Sequence, residues 1–291
     1  MSEGEPYLLD GTPLAYLPEE QLIRLADRLA SAPYERADSR TSFLGAFTPG
    51  SRYENKPIIR SDFDQPIPNG IDNPYWDIVR RIPGRPYLFN PMIEPDGYWS
   101  WTLHPEAMIE AANAGLTRFH LCARYSWAIP TSGDIKWLED RLMGQDIVEV
   151  GAGSGYWAWQ LTQAGMQVDA YDPRPPGEGN GFNTHKLYHP VKDGDQQVAA
   201  GYPDRALMIS WPVYEADYAT KALQIYGGDT FVYIGEGMEG CCGDDDLFVE
   251  LEQNWELEDY CAAHVSWWGV HDRLEIYRRK SRKVVIDLVE P

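Results

Sequence analysis

The segment Asp146–Asp172, DIVEVGAGSGYWAWQLTQAGMQVDAYD, decides the fold. An apolar run, Ile147–Val150, enters the glycine-rich turn Gly151-Ala152-Gly153-Ser154-Gly155. Tyr156–Ala164 then reads as a helix, and Gln167–Tyr171 as a short strand ending at Asp172. Strand, turn, helix and strand in that order predict a nucleotide-binding unit of an α/β fold. Glycine tolerates positive φ and lets a ligand approach closer than a Cβ would allow, while the helix that follows offers unpaired N–H groups. Asp172, about twenty residues beyond the turn, is at the spacing where a carboxylate accepts the hydroxyls of a ribose.

Spacing separates two kinds of ligand. A dinucleotide site wants G-x-G-x-x-G, with a third glycine for close helix packing. Here the pattern is G-x-G-x-G, Tyr156 stands where that third glycine would fall, and Glu149 lies two residues before the first glycine. An acid beside the turn repels a phosphate and suits the α-ammonium of an amino acid, which favours S-adenosylmethionine over NAD.

Glu149–Gly155 resembles the first motif of class I S-adenosylmethionine-dependent methyltransferases, and Asp172 resembles their ribose-binding acid. Tyr125–Thr131 (YSWAIPT), Ser210–Tyr214 (SWPVY) and Gly235–Gly240 (GEGMEG) ahead of an acidic helix are similar to a bacterial group of methyltransferase-domain proteins. The resemblance spans roughly residues 120–280. It implies a Rossmann-like seven-stranded sheet with a terminal antiparallel hairpin. It also implies cofactor contacts from Glu149, Gly151, Ala152, Gly153, Ser154, Gly155 and Asp172. Arg124, Tyr125 and Trp127, just before the first strand, would lie over the cofactor, and either Asp193 or Asp195 would approach the adenine. A glycine-rich turn in an α/β scaffold that binds no cofactor is the rival reading.

The 291 residues, 43% of them apolar, can bury a sizeable core. We expect an N-terminal accessory region of helical and irregular structure over residues 1–119, and a catalytic core over 120–291. Net charge is −20. Free nucleic acid is held largely by phosphate neutralisation, so this balance argues against a DNA or RNA substrate and for a small molecule. The four cysteines show no zinc-ribbon spacing and read as reduced thiols, and no metal site is expected. The start, MSEGEPYLLDG, does not read as a secretory signal, and no run is long enough to span a membrane; a cytoplasmic protein is expected.

Along the chain, Pro18–Ala32 predicts an amphipathic helix, 33–101 is broken by prolines apart from a short helix at Asp72–Arg81, and Pro105–Ala114 predicts another helix. Ser132–Met143 predicts a helix stopped by Gly144. Tyr188–Val191, Ala206–Ser210 and Thr230–Ile234 read as strands, with Tyr218–Tyr226 as a helix between the last two. Asp244–Glu258 predicts an acidic helix, and Cys261–Trp267 with Arg273–Arg278 the final two strands.

Methyl transfer is an in-line displacement, so the site needs a shaped pocket and an unprotonated nucleophile. Ser210-Trp211-Pro212-Val213-Tyr214 follows the fourth strand, where amino-methyltransferases carry an Asn/Asp/Ser-Pro-Pro-Tyr/Phe motif. The resemblance implies that Ser210, Pro212 and Tyr214 meet the acceptor and favours nitrogen as the methylated atom, although Trp211 and Val213 depart from the pattern. An amine with a reference pKa of about 10.4 must lose a proton to react, which calls for a base. Glu236 and His271 are the candidates. A lyase, cyclase or aminocarboxypropyl enzyme, or a scaffold without catalysis, would share the same cofactor pocket.

Overall fold

A computed structural model of the chain describes residues 16–30, 70–81, 110, 113–116, 118–174, 182, 185–238, 240–267 and 270–280. Most of the proline-rich stretch 33–101, of the expected helix at 105–114 and of the loop after Asp172 lies outside the described residues.

Helix α1, Glu19–Ala30, begins with two glutamates that suit its positive dipole end, and it buries Leu22, Leu25 and Ala26. In α2, Pro74–Val79, the Asn73 side chain accepts from the Trp76 N–H while Pro74 opens the helix. Helix α3 is Arg118–Arg124. Helix α4, Ser132–Leu142, starts on a reciprocal capping box between Thr131 and Asp134 and ends through Met143 at φ 48° and Gly144 at φ 86°.

Then follow β1 (Ile147–Val150), α5 (Tyr156–Gln163), β2 (Val168–Asp172) and β3 (Val191–Asp193). A short 3₁₀ turn at Gln196–Gly201 precedes β4 (Ala206–Ser210), α6 (Tyr218–Ile225) and β5 (Thr230–Gly235). Helix α7 (Asp245–Asn254), β6 (Trp255–Tyr260) and β7 (Arg273–Arg279) complete the order.

The seven strands form one sheet in the order β3-β2-β1-β4-β5-β7-β6. Strands β1 to β5 run parallel, β7 lies antiparallel to β5, and β6 antiparallel to β7. This is the Rossmann-like seven-stranded sheet with a terminal antiparallel hairpin that the resemblance implied. Helices cover both faces, as an apolar parallel sheet requires. Ile135, Leu138, Trp157 and Leu161 of α4 and α5 pack on Ile147, Met208, Val232 and Ile276. On the opposite face Ala219, Leu223, Leu247 and Leu251 of α6 and α7 pack on Val148, Val150, Leu207 and Phe231. A third cluster joins α1, α2 and α3 to Tyr156 and Trp267.

Three expected elements move. Strand β3 begins at Val191 rather than Tyr188, because the Tyr188 N–H donates to the Ser154 carbonyl and Pro190 has no N–H to contribute. The acidic helix stops at Asn254, so Trp255–Glu258 is strand and not helix. Cys261–Trp267, expected as a strand, is a loop, and its place beside β7 belongs to β6. Three acids in the six residues WELEDY hide an edge strand, where charge discourages pairing with another chain. Register pairs Trp255 with Arg279, whose guanidinium lies 4.2 Å from the indole centroid.

The chain lays β2 and β3 on one side of β1, then crosses back to set β4 on the other. That reversal makes the carboxyl ends of β1 and β4 a topological switch point, where open α/β sheets bind ligands. Among the described residues no helix is long and apolar enough to cross a membrane.

Candidate active site

The turn after β1 is built on three positive φ values: 76° at Gly151, 53° at Gly153 and 69° at Gly155. The Gly151 and Ala152 N–H groups both donate to the Tyr171 carbonyl, at 2.9 and 3.0 Å, which pins the turn to the end of β2. At Gly151 a Cβ would stand 2.8 Å from the Tyr218 hydroxyl, and at Gly155 one would stand 2.9 Å from Val191 Cγ2. Both positions thus exclude a side chain by space as well as by φ. Tyr218, which opens α6, is a residue of this turn's environment that motif reading did not single out.

Two carboxylates flank the turn. Glu149 projects from the fully buried β1 toward the first turn of α5, where the Ala158 N–H favours its charged form. The N-cap of α5 is Gly155, which has no side chain to offer its first-turn N–H groups. Glu149 is 1% exposed and its Oε2 is buried with no hydrogen-bond partner. Burial, reinforced by the nearby Asp172 charge, pushes its pKa up to about 8. Asp172 Oδ2 accepts the Gly153 N–H at 2.9 Å and Oδ1 the Arg174 N–H at 2.8 Å. Its pKa is raised by burial, with those two N–H bonds pulling the other way.

Across the switch point, Ser210 ends β4 and Trp211 adopts φ 50°, a left-handed conformation costly for a bulky residue. Two bonds hold it there: its N–H donates to the Ile234 carbonyl at 2.7 Å, and its Nε1–H to Asp272 Oδ2 at 3.2 Å. Pro212 is buried and accepts the Gly243 N–H at 3.0 Å, while Tyr214 is 58% exposed. Glu236 and His271, 35 residues apart, come together here. Glu236 Oε1 accepts the His271 N–H at 2.8 Å and Oε2 the Cys241 N–H at 2.9 Å. The exposed His271 ring brings Nδ1 to 3.7 Å from Glu236 Oε1.

Of the residues expected over the cofactor, Tyr125 is completely buried and stacks on Tyr75 with centroids 5.0 Å apart. Its carbonyl, not its ring, meets the turn, as acceptor for the Ser154 hydroxyl. Arg124 is buried and donates to the Leu17 carbonyl. Trp127 faces Trp211 across 5.8 Å. Asp195 caps the 3₁₀ turn through the Gln197 N–H, whereas Asp193 stands in β3 beside Asp172.

Sequence reasoning missed one buried constellation. His264 Nδ1 lies 3.1 Å from Asp134 Oδ1 and its Nε2 3.3 Å from Asp272 Oδ2. Burial alone would depress the imidazole pKa, but the two carboxylates, Asp134 first, raise it to about 10. Asp272 is held below the usual carboxylate range: burial opposes this, and His264, Ser266 and Trp211 overcome it. Partners separated by 130 and 8 residues carry no motif spacing from which the cluster could be recognised. Among the described residues no group of three or more His, Cys, Asp or Glu could hold a metal ion.

No known sequence family and no curated protein matches the chain. Solved structures do. A magnesium protoporphyrin IX methyltransferase from Synechocystis PCC 6803 with bound S-adenosylmethionine is 12% identical over 50% of this chain and 76% of its own, at a TM-score of 0.34. The 1,6-didemethyltoxoflavin-N1-methyltransferase of Burkholderia thailandensis, with S-adenosylhomocysteine bound, is 16% identical over the same shares, at 0.33. A structure described for the conversion of a disulfide bond into a thioacetal group during echinomycin biosynthesis is 16% identical over 58% of this chain and 91% of its own, also at 0.33. At such scores the functional argument rests on this chain's own residues.

Proposed function

We infer that the protein is an S-adenosylmethionine-dependent methyltransferase acting on a small-molecule acceptor, with nitrogen as the methylated atom. The observation that carries the reading is Glu149 Oε2, buried without a partner beneath a turn of three positive-φ glycines. An orphaned carboxylate oxygen there fits an ammonium, whose arrival would supply the missing cation. Asp172 keeps lone pairs beyond its two backbone bonds for the ribose hydroxyls, and Gly151, Ala152, Gly153, Ser154 and Gly155 form the cradle. Bound there, S-adenosylmethionine supplies an electrophilic methyl group for in-line displacement.

On the acceptor side, Ser210, Pro212 and Tyr214 line the approach from β4. Glu236 is fixed by two backbone N–H bonds and stands 3.7 Å from His271 Nδ1. His271 Nε2, which faces away from that carboxylate, is the atom assigned to take the acceptor's proton. The region 1–119 acts as an accessory cap on the core at 120–291, a reading supported by α1 and α2 sharing one apolar cluster with Tyr156 of α5.

Calorimetric titration of the full chain with S-adenosylhomocysteine tests the cofactor assignment. Asp172→Ala removes charge-assisted hydrogen bonds worth about 1.5–3 kcal/mol, so affinity should fall ten- to a hundredfold. Unchanged affinity in a variant that melts normally would sink the assignment. Product analysis separates chemistries: S-adenosylhomocysteine marks methyl transfer, methylthioadenosine the lyase or aminocarboxypropyl alternatives.

A further inference from the structure

We propose that the acceptor is an aromatic carboxylate, its ring held against Trp127 and Trp211 and its anionic group paired with Arg118. This names the substrate class of the acceptor side described above and rests on the methyltransferase reading.

Arg118 opens α3, and its guanidinium lies 5.7 Å from the Trp211 ring centroid and 5.6 Å from that of Phe119. Among the described residues, Arg80, Arg81, Arg205 and Arg278 each reach a carboxylate. Among the described residues no carboxylate lies within ion-pair distance of Arg118. Its charge acts on the neighbouring Cys122 thiol, a weak acceptor. Burial pushes that thiol up to about 11, so it stays neutral, and among the described residues no anion meets the guanidinium. Arg118 Nε and Trp127 Nε1 are both buried donors without partners. Two unsatisfied donors beside the Trp211 indole call for an anionic or acceptor-rich ligand.

The walls specify the rest of that ligand. Trp127 and Trp211 face each other at 5.8 Å with planes tilted by 34°, and Phe119 and Phe182 meet Trp127 edge-on at 6.3 Å each. Aromatic faces arranged this way favour a planar ring, and a planar guanidinium matches the two oxygens of a carboxylate. The bond from Trp211 Nε1 to Asp272 fixes one wall, so recognition does not wait on a mobile indole. The site also adjoins the proposed proton acceptor, because Trp211 Nε1 donates to Asp272, the residue next to His271. The net charge of −20 does not forbid an anion here, since exposed charges beyond about 8 Å are screened at physiological salt.

The test titrates the full chain, with and without S-adenosylhomocysteine, against three probes: 4-aminobenzoate, aniline and cyclohexanecarboxylate. The expected result is at least tenfold tighter binding of 4-aminobenzoate than of either single-feature probe. Arg118→Gln should erase that preference while leaving aniline unchanged. Should this variant fail to melt cooperatively, Arg118→Lys, which keeps the charge and loses the fork, should cut the preference at least threefold. Absence of 4-aminobenzoate binding, equal affinity for aniline, or a preference that survives both substitutions overturns the proposal. S-adenosylhomocysteine titrated alone separates the two readings: no binding of it, with the ring-anion preference intact, removes the methyltransferase function and leaves the site standing.

Discussion

Two pairs of buried carboxylates, Glu149 with Asp172 and Asp134 with Asp272, sit on either side of the switch point and have opposite electrostatics. Between Asp134 and Asp272 the chain inserts His264, and the pair closes on an imidazolium whose pKa rises to about 10. Between Glu149 and Asp172 it inserts no cation; Glu149 is driven up to about 8 and one of its oxygens has no partner. Burying acids is costly unless they are paired. The first pair therefore has its charge balanced inside the fold, although Asp272 Oδ1 is itself buried without a hydrogen-bond partner, and it ties the capping box of α4 and the loop before β7 to Trp211. The second reads as a site that a ligand completes.

Breaking the completed pair should have the largest effect. His264→Ala leaves Asp134 and Asp272 buried and uncompensated, at a cost of about 3–5 kcal/mol, read as a fall in denaturant midpoint. Because the folded pKa of His264 lies above its unfolded value of about 6.5, the clamp's contribution is fully present below that pH. It is lost as pH rises through about 10. A wild-type stability curve flat from pH 6 to 10 would contradict a charged His264.

The open pair sharpens the contrast, since removing its charge should stabilise the ligand-free fold. The folded pKa of Glu149 is also raised, so its contribution is fully present below about 4.5 and lost as pH rises through about 8. Glu149→Gln keeps the size and polarity of the side chain and never ionises. Between pH 6 and 9 the wild type should lose about 2–3 kcal/mol more than this variant, while the variant binds S-adenosylhomocysteine at least tenfold more weakly. A variant less stable than wild type at pH 9 would mean that Glu149 is completed by the fold and awaits no ligand.

The smallest effect is expected outside both pairs. Tyr214 is largely exposed beyond β4, so Tyr214→Ala should leave S-adenosylhomocysteine affinity nearly unchanged and lower turnover of an identified acceptor about tenfold, or 1.4 kcal/mol. Loss of cofactor affinity instead would move the Ser210–Tyr214 loop to the cofactor side.

What the sequence determined by itself was local. Ile147–Val150 and Ala206–Ser210 appear as strands with the expected bounds, because a run of apolar residues beside glycine or a polar turn is a signal within one segment. The glycine turn was readable for the same reason: positive φ at Gly151, Gly153 and Gly155 is a property of each residue's own backbone. Asp172 was in place as well, one position inside a strand expected to end just before it. Tertiary structure decided what depends on distant partners. Strand β6 exists because β7 offers it a ladder, against the polar pattern of WELEDY. His264 is charged because Asp134 lies across the fold from it, and Glu236 meets His271 because the loops after β5 and before β7 meet. Pairing and burial set those states, and neither is encoded in the spacing of residues along one segment.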